Sequence, residues 1–320
     1  MLVEVASHFK GGAPLVAATQ VCHLWRTTLI SSPRLWSHLD FADKERVLVY
    51  SERSKSAPVR VDITNVDYPF EVVRESLKKI ATRVNTLWAA RGSFLNELLA
   101  HPMPLLEDLE IIDSDGSSLK KLTHLPSLTS LVISGFDLLR FRAPILTSFH
   151  LTDNPTNDSP GLEARHLLNF LQSCPLLEVA SISCCILDTN PNSDEVVSLP
   201  LLHSFTHKSP FDIYQLCLID RLSLPSSCRV TLVIDVTEHK FSPWIPGLPT
   251  PSNSSYLSDI RTVKIPAHPR NKCGTEDHAT FKIELIDSNH RTTSFDRISY
   301  RGNHPSEFSH RGFLDAFRSI

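Results

Sequence analysis

Seven cysteines, fifteen histidines and scattered carboxylates could supply nucleophiles, bases or metal ligands, but their spacing assembles no such site. Zinc takes four ligands, and Cys273 with His278 stands without a second pair. No Cys-x-x-Cys or His-Glu-x-x-His is present, no glycine-rich phosphate loop, and no Gly-x-Ser-x-Gly elbow. Asp113-Ser114-Asp115-Gly116 opens like a calcium loop. Ser118 then stands where the glycine belongs and His124 where the bidentate glutamate belongs, so the segment reads as a turn. A reactive thiol needs a cationic neighbour; Cys185 has none nearby in sequence and reads as core. The chain is therefore expected to be no enzyme and to hold no metal or cofactor.

The elements that would position such residues must come from 320 residues, 41% apolar and 21% charged, an ordinary soluble balance. The net charge of -3 and pI near 6.6 provide no basic field to draw nucleic acid or an anionic membrane. Lys78-Lys79 and Lys120-Lys121 are short enough to be solvated faces. No apolar run approaches the ~18 residues of a membrane span. Glu4 and the absence of a basic opening argue against a signal peptide. A cytoplasmic or nuclear location is expected, with the odd number of cysteines kept as thiols. Asn157-Asp158-Ser159 and Asn253-Ser254-Ser255 then match the glycosylation pattern by chance. Prolines number 22 and glycines 10, the mark of short elements punctuated repeatedly.

The punctuation has a period. Pro-x-Leu-x-x-apolar-x-apolar begins at Pro104, Pro126, Pro144, Pro175, Pro200 and, in part, Pro225. These lie 22, 18, 31, 25 and 25 residues apart. Their mean is about 24, inside the 20–29 of leucine-rich repeats. Asn154 and Cys185 stand at the Asn/Cys position of the repeat, Val84, Leu87 and Ala89 form a degenerate first copy, and Ile260, Val263 and Ile265 a late one. One such strand cannot bury its apolar face alone, so neighbours must stack into a parallel sheet. Proline ahead of the strand is tolerated because the ladder begins after it. Leu167, Leu168, Phe170 and Leu171 fit a helical return. The outward strand positions Asp108, Glu110, Ser130, Val132, Ser148, His150, Val179, Ser181, Ser204 and Thr206 form a mixed face, suited to a protein target or simply solvated.

Leu2, Val5, Ala6 and Phe9 line one helix face, broken by Gly11-Gly12. Pro14 suits the first turn of a second helix. Leu15, Ala18, Thr19 and Cys22 make one stripe; Val21, Leu24, Trp25, Thr28 and Leu29 make another, ended by Ser31-Ser32-Pro33. Three helices this short cannot bury all their faces among themselves. Pro14-Leu15-Val16, Val21-Cys22-His23-Leu24-Trp25-Arg26 and Ser32-Pro33-Arg34-Leu35-Trp36 together resemble the F-box-like domain of the expanded F-box protein sets of mushroom-forming fungi. Tyr50 to Pro58 is similar to the segment after it in those proteins, and Leu167 to Pro175 to the repeat joints of F-box leucine-rich proteins. The chain departs from the family at Leu2, where a Leu-Pro opening is usual, and at Phe9-Lys10, where Ile-Phe is usual.

The resemblance implies a substrate receptor of an SCF-type cullin-RING ubiquitin ligase. Its F-box would dock on a Skp-type adaptor through Leu2, Val5, Phe9, Val21, Cys22, Trp25, Pro33, Leu35 and Trp36, and its repeats would hold a target protein. The alternative is a leucine-rich-repeat scaffold that has lost adaptor binding through its shortened N-terminus. Neither reading calls for nucleic acid, membrane or a small-molecule substrate. The expected fold is α/β. A three-helix F-box-like segment over 1–42 leads into an irregular leucine-rich-repeat solenoid over 43–240, with helical or loop returns. A Pro/Ser-rich loop over 241–255 and a cap over 256–320 complete the chain. Strands are expected in the cap at Phe281–Ile286 and around Phe295 and Ile298, and a terminal helix through Phe308, Phe313 and Phe317.

Overall fold

The computed structural model describes residues 3–4, 12–66, 70–90, 99–112, 123–134, 141–152, 162–183, 186–187, 196–210, 218, 221–225, 227–236, 260–264, 278–287 and 292–301. The protein is mixed α/β, with few helices and mostly parallel strands. It divides into two compact units, Met1–Leu146 and Thr147–Ile320.

The first unit opens with two short helices, α1 (Gly12–Ala18) and α2 (His23–Ile30). Of the helix expected over Leu2 to Phe9, Val3 and Glu4 are helical; the rest lies outside the described residues. The Ser31 and Ser32 hydroxyls donate back to the Thr28 carbonyl at 3.0 and 2.7 Å, and Pro33 then begins a single 3-10 turn through Trp36. The chain passes directly into β1 (His38–Asp40), which pairs with β2 (Val59–Ile63). The sheet thus begins before residue 42 and joins the helical segment to the strands downstream. Between these strands lies α3 (Lys44–Arg53), whose first turn is capped by Asp43 Oδ1, 3.0 Å from the Arg46 amide. Lys55, just beyond this helix, is in the left-handed region, at φ 49°. The Arg83 guanidinium holds this turn, donating to Ser54 Oγ, the Ala57 carbonyl and the Ser51 carbonyl at 3.1, 3.1 and 3.3 Å.

Helix α4 (Phe70–Ile80) buries Val73, Leu77 and Ile80, a spacing of four and three that makes one face. Strands β3 (Val84–Ala89), β4 (Asp108–Ile112) and β6 (Ser130–Ser134) extend the parallel order β1-β2-β3-β4-β6. A small pair, β5 (Thr123–His124) with β7 (Phe141–Arg142), stands apart from it. The strand expected from Val84, Leu87 and Ala89 is present, and all three are buried. Register aligns Leu39, Val61, Leu87, Leu109 and Leu131 in one row, and Ile63, Ala89, Ile111 and Ile133 in the next. Every one of these side chains is buried. The rows are the core of this unit.

The second unit repeats the design. Strands β8 (Ser148–Thr152), β10 (Val179–Ser183), β13 (Ser204–Pro210) and β15 (Arg229–Val236) are parallel neighbours. Phe149, Ala180, Phe205 and Val230 form the buried row. Helix α5 (Ala164–Gln172) packs on this row, its Phe170 ring 4.8 Å from that of Phe149. This is the helical return expected from Leu167, Leu168, Phe170 and Leu171, all buried. Short pairs β9 (Leu162–Glu163) with β11 (Ile186–Leu187), and β12 (Val197–Ser198) with β14 (Leu222–Ser223), flank these strands. His207, also buried, takes the inward place that Ile182 holds one strand earlier. Strands β16 (Ile260–Lys264), β17 (His278–Asp287) and β18 (Thr292–Arg301) close the order. They contain both strands expected in the cap, and β18 runs parallel to β15. The late repeat expected at Ile260 is not one: β16 pairs antiparallel with β17, as an end hairpin does. The expected terminal helix, Asn154, Cys184 and Cys185, the Asp113–Gly116 turn and the Pro/Ser-rich loop lie outside the described residues.

The repeated prolines do more than precede a strand. Leu106, Leu128, Leu146, Leu177 and Leu202 each donate an amide to the carbonyl three residues back, on Met103, Leu125, Ala143, Cys174 and Leu199. Proline is the second residue of each turn, where its fixed φ is already correct. The first and fourth residues are buried, while the third faces out. At the last repeat the turn slips by one, and Cys228 bonds to Pro225. Leu105 and Leu106 are therefore adjacent but opposite, 44% and 0% exposed. Leu106→Ala should cost about 2–5 kcal/mol, and Leu105→Ala under about 1. Urea denaturation of the two variants measures both, and equal losses would contradict this turn register.

Candidate protein-interaction surfaces

The residues expected to meet an adaptor do not share one environment. Leu2, Val5 and Phe9 lie outside the described residues. Val21 and Cys22, in the turn before α2, are exposed, Val21 at 66%. Trp25, Pro33 and Leu35 are partly exposed. Trp36 is fully buried at 0% and has no surface to offer a partner. Its Nε1 donates to the Leu29 carbonyl at 2.9 Å. Its ring meets Tyr50 edge-on at 5.0 Å, and the Arg53 guanidinium lies 4.4 Å above it. Trp36 thus fastens α2 to α3 and positions the segment. Burial raises the Tyr50 phenol in the same cluster, against the lowering pull of Arg46 and Arg53.

The second apolar stripe also divides. Leu29 is buried, whereas Leu24 is 65% exposed beside Val21. Leu24 is absent from the expected adaptor set. Its three-residue spacing from Val21 was the available signal, since Leu29 lies on the opposite side of the helix. Val16 on α1 is exposed as well. Val16, Val21 and Leu24 are thus each left exposed among the described residues.

The residues named for a target face lie on the strands, in aligned rows. In the second unit Ser148, Val179, Ser204 and Arg229 share one row, and His150, Ser181, Thr206 and Thr231 the next. In the first unit Asp108 and Ser130 continue a row through His38, Arg60 and Thr86, while Glu110 and Val132 continue one through Asp40, Asp62 and Trp88. The six upstream residues were not anticipated. They precede the proline-led repeats, although Val59, Val61 and Ile63 alternating with Arg60 and Asp62 carry a strand pattern. Thr86 Oγ1 donates to Asp108 Oδ2 at 3.4 Å. Asp62 Oδ1 accepts from Thr64 N and Oγ1 at 2.9 and 2.6 Å, and Asp40 Oδ1 from Ala42 N at 2.9 Å. His38 meets the Trp88 ring edge-on at 5.9 Å.

No protein-family model matches the chain, and no curated protein matches it in sequence. Among the described residues no three His, Cys, Asp or Glu gather as metal ligands, and no helix is long and apolar enough to cross a membrane. Cys174 and Cys228 are buried, and that burial pushes both thiols up to about 11. The Ser173 hydroxyl and the Phe205 backbone pull each partly back. A raised pKa keeps the thiol protonated at pH 8, so only about one part in a thousand is thiolate there. Iodoacetamide treatment with peptide mapping should alkylate exposed Cys22 before Cys174 and Cys228. Cys174 and Cys228 should stay unmodified near neutrality and gain reactivity only toward pH 11; early labelling of either would contradict their burial.

Proposed function

We propose that the chain is a substrate receptor of an SCF-type cullin-RING ubiquitin ligase, built as an F-box-like segment joined to an irregular leucine-rich-repeat solenoid. The helical segment docks on a Skp-type adaptor, and the outward strand rows hold a target. The receptor performs no bond chemistry; it raises the concentration of target beside the ligase.

The observation that carries the reading is the exposure of Val21, in the turn before α2, and of Leu24 in the first turn of α2, a helix that buries Leu29 and whose Leu29 carbonyl is held by the buried Trp36. Large apolar side chains this exposed, three residues apart in sequence, favour a protein interface. The resemblance of residues 1–60 to F-box-like domains supplies the partner, and the aligned outward rows support target binding. On this reading Trp36 positions the docking segment, and Val21, Leu24 and Trp25 make contact.

Isothermal titration of the full chain against purified Skp-type adaptor tests the proposal. The expected result is micromolar or tighter binding, weakened at least about tenfold by Leu24→Asp or Trp25→Ala. Leu24→Asp changes an exposed side chain, so its thermal midpoint should match the parent. Absence of binding by the folded chain would remove the receptor reading and leave the repeat scaffold.

A further inference from the structure

We propose that the outward sheet face of the first unit docks a basic, extended segment of a partner protein, with an arginine or lysine over the Trp88 ring. The inference deepens the target-binding half of the receptor reading and rests on it for the role of that face.

The face is aligned by register: His38, Arg60, Thr86, Asp108 and Ser130 in one row, Asp40, Asp62, Trp88, Glu110 and Val132 in the other; of these Thr86 is buried, and the other nine are at least partly exposed. It carries four carboxylates against the single guanidinium of Arg60. The whole chain is nearly balanced, with 35 acidic and 32 basic residues, so this excess is local. The matching rows of the second unit hold no carboxylate. Among the described residues no ion pair reaches Asp40, Asp62, Asp108 or Glu110. Asp40 and Asp62 are direct neighbours on adjacent strands, about 5 Å apart. Like charges placed so raise the energy of the isolated sheet. A basic partner relieves that repulsion.

Trp88 gives the charge a focus. It is partly exposed and lies between Asp62 and Glu110, one strand to either side. His38 meets its ring edge-on and limits how it turns. A cation above the ring gains from the aromatic quadrupole, and Trp is the strongest ring for this. The two flanking carboxylates, each about 5 Å from the ring's strand, add to the attraction. Phosphate backbones would be repelled by the same field. The carboxylates are spread over three strands rather than gathered as metal ligands, which favours an extended chain as the occupant.

The test uses the full chain and a fluorescein-labelled nine-residue peptide alternating Arg and Ser, with a Glu-Ser peptide as counterpart. Anisotropy titrations should show the Arg-Ser peptide binding and the Glu-Ser peptide not binding. Asp108→Asn combined with Glu110→Gln should weaken binding roughly tenfold, and Trp88→Leu by a similar factor. The double variant alters charge with little change of shape, so it carries the test if Trp88→Leu does not fold. No binding of the Arg-Ser peptide, equal binding to parent and double variant, or binding of the Glu-Ser peptide would overturn the proposal. Adaptor titration of the same samples separates the two readings. Peptide binding lost with adaptor binding kept removes only this docking face. Adaptor binding absent with peptide binding kept removes only the ligase receptor.

Discussion

The structure depends on the in-register pairing of short parallel strands. Five residues of strand bury two or three side chains, too few to offset the entropy of ordering them. Each strand becomes stable only when neighbours supply both the hydrogen-bond ladder and the apolar row. The amides of Glu107 and Thr129 in the first unit, and of Glu178, His203 and Arg229 in the second, start that ladder at the entry to the strands. The proline turns set the chain direction just before this point, and the buried leucine ending each turn locks the register. A one-residue slip would turn the whole Leu39-to-Leu131 row outward.

Trp36 ties the helical segment to this sheet. The indole satisfies the Leu29 carbonyl at the end of α2, packs on Tyr50 of α3 and stacks under Arg53. The segment that resembles an F-box is therefore continuous with the sheet, with β1 as its last element. On the proposed reading, this join would fix the direction in which a bound target points relative to the adaptor. Exposed Val21 and Leu24 and the outward rows of the first unit all belong to one compact unit.

The repeats were legible because their signal is local. Proline, leucine and two alternate apolar residues mark each strand within eight positions, and the observed β4, β6, β8, β10 and β13 match those marks. Helix α5 was legible for the same reason. The elements between residues 38 and 80 were not read, although Val47 with Tyr50 and Val73 with Leu77 and Ile80 have helical spacing. They carry no proline mark, and the alternation of Val59–Ile63 covers only five residues. Ile260 was misread because an apolar alternation specifies a strand but not the direction of its neighbour.

Within the proposed surfaces, residue type alone could not separate contact from support. Trp25, Trp36 and Trp88 are alike in composition, yet one is partly exposed on a helix, one is sealed beneath Arg53, and one lies on the sheet face. The sequence by itself determined the period, the parallel strands, the inward rows and the outward positions of each repeat, because these arise from short-range spacing. Only the tertiary structure decided which faces met, where the sheet began, and that Asp40, Asp62, Trp88 and Glu110 share a row. Those residues are distant in sequence, and only strand pairing brings their side chains side by side.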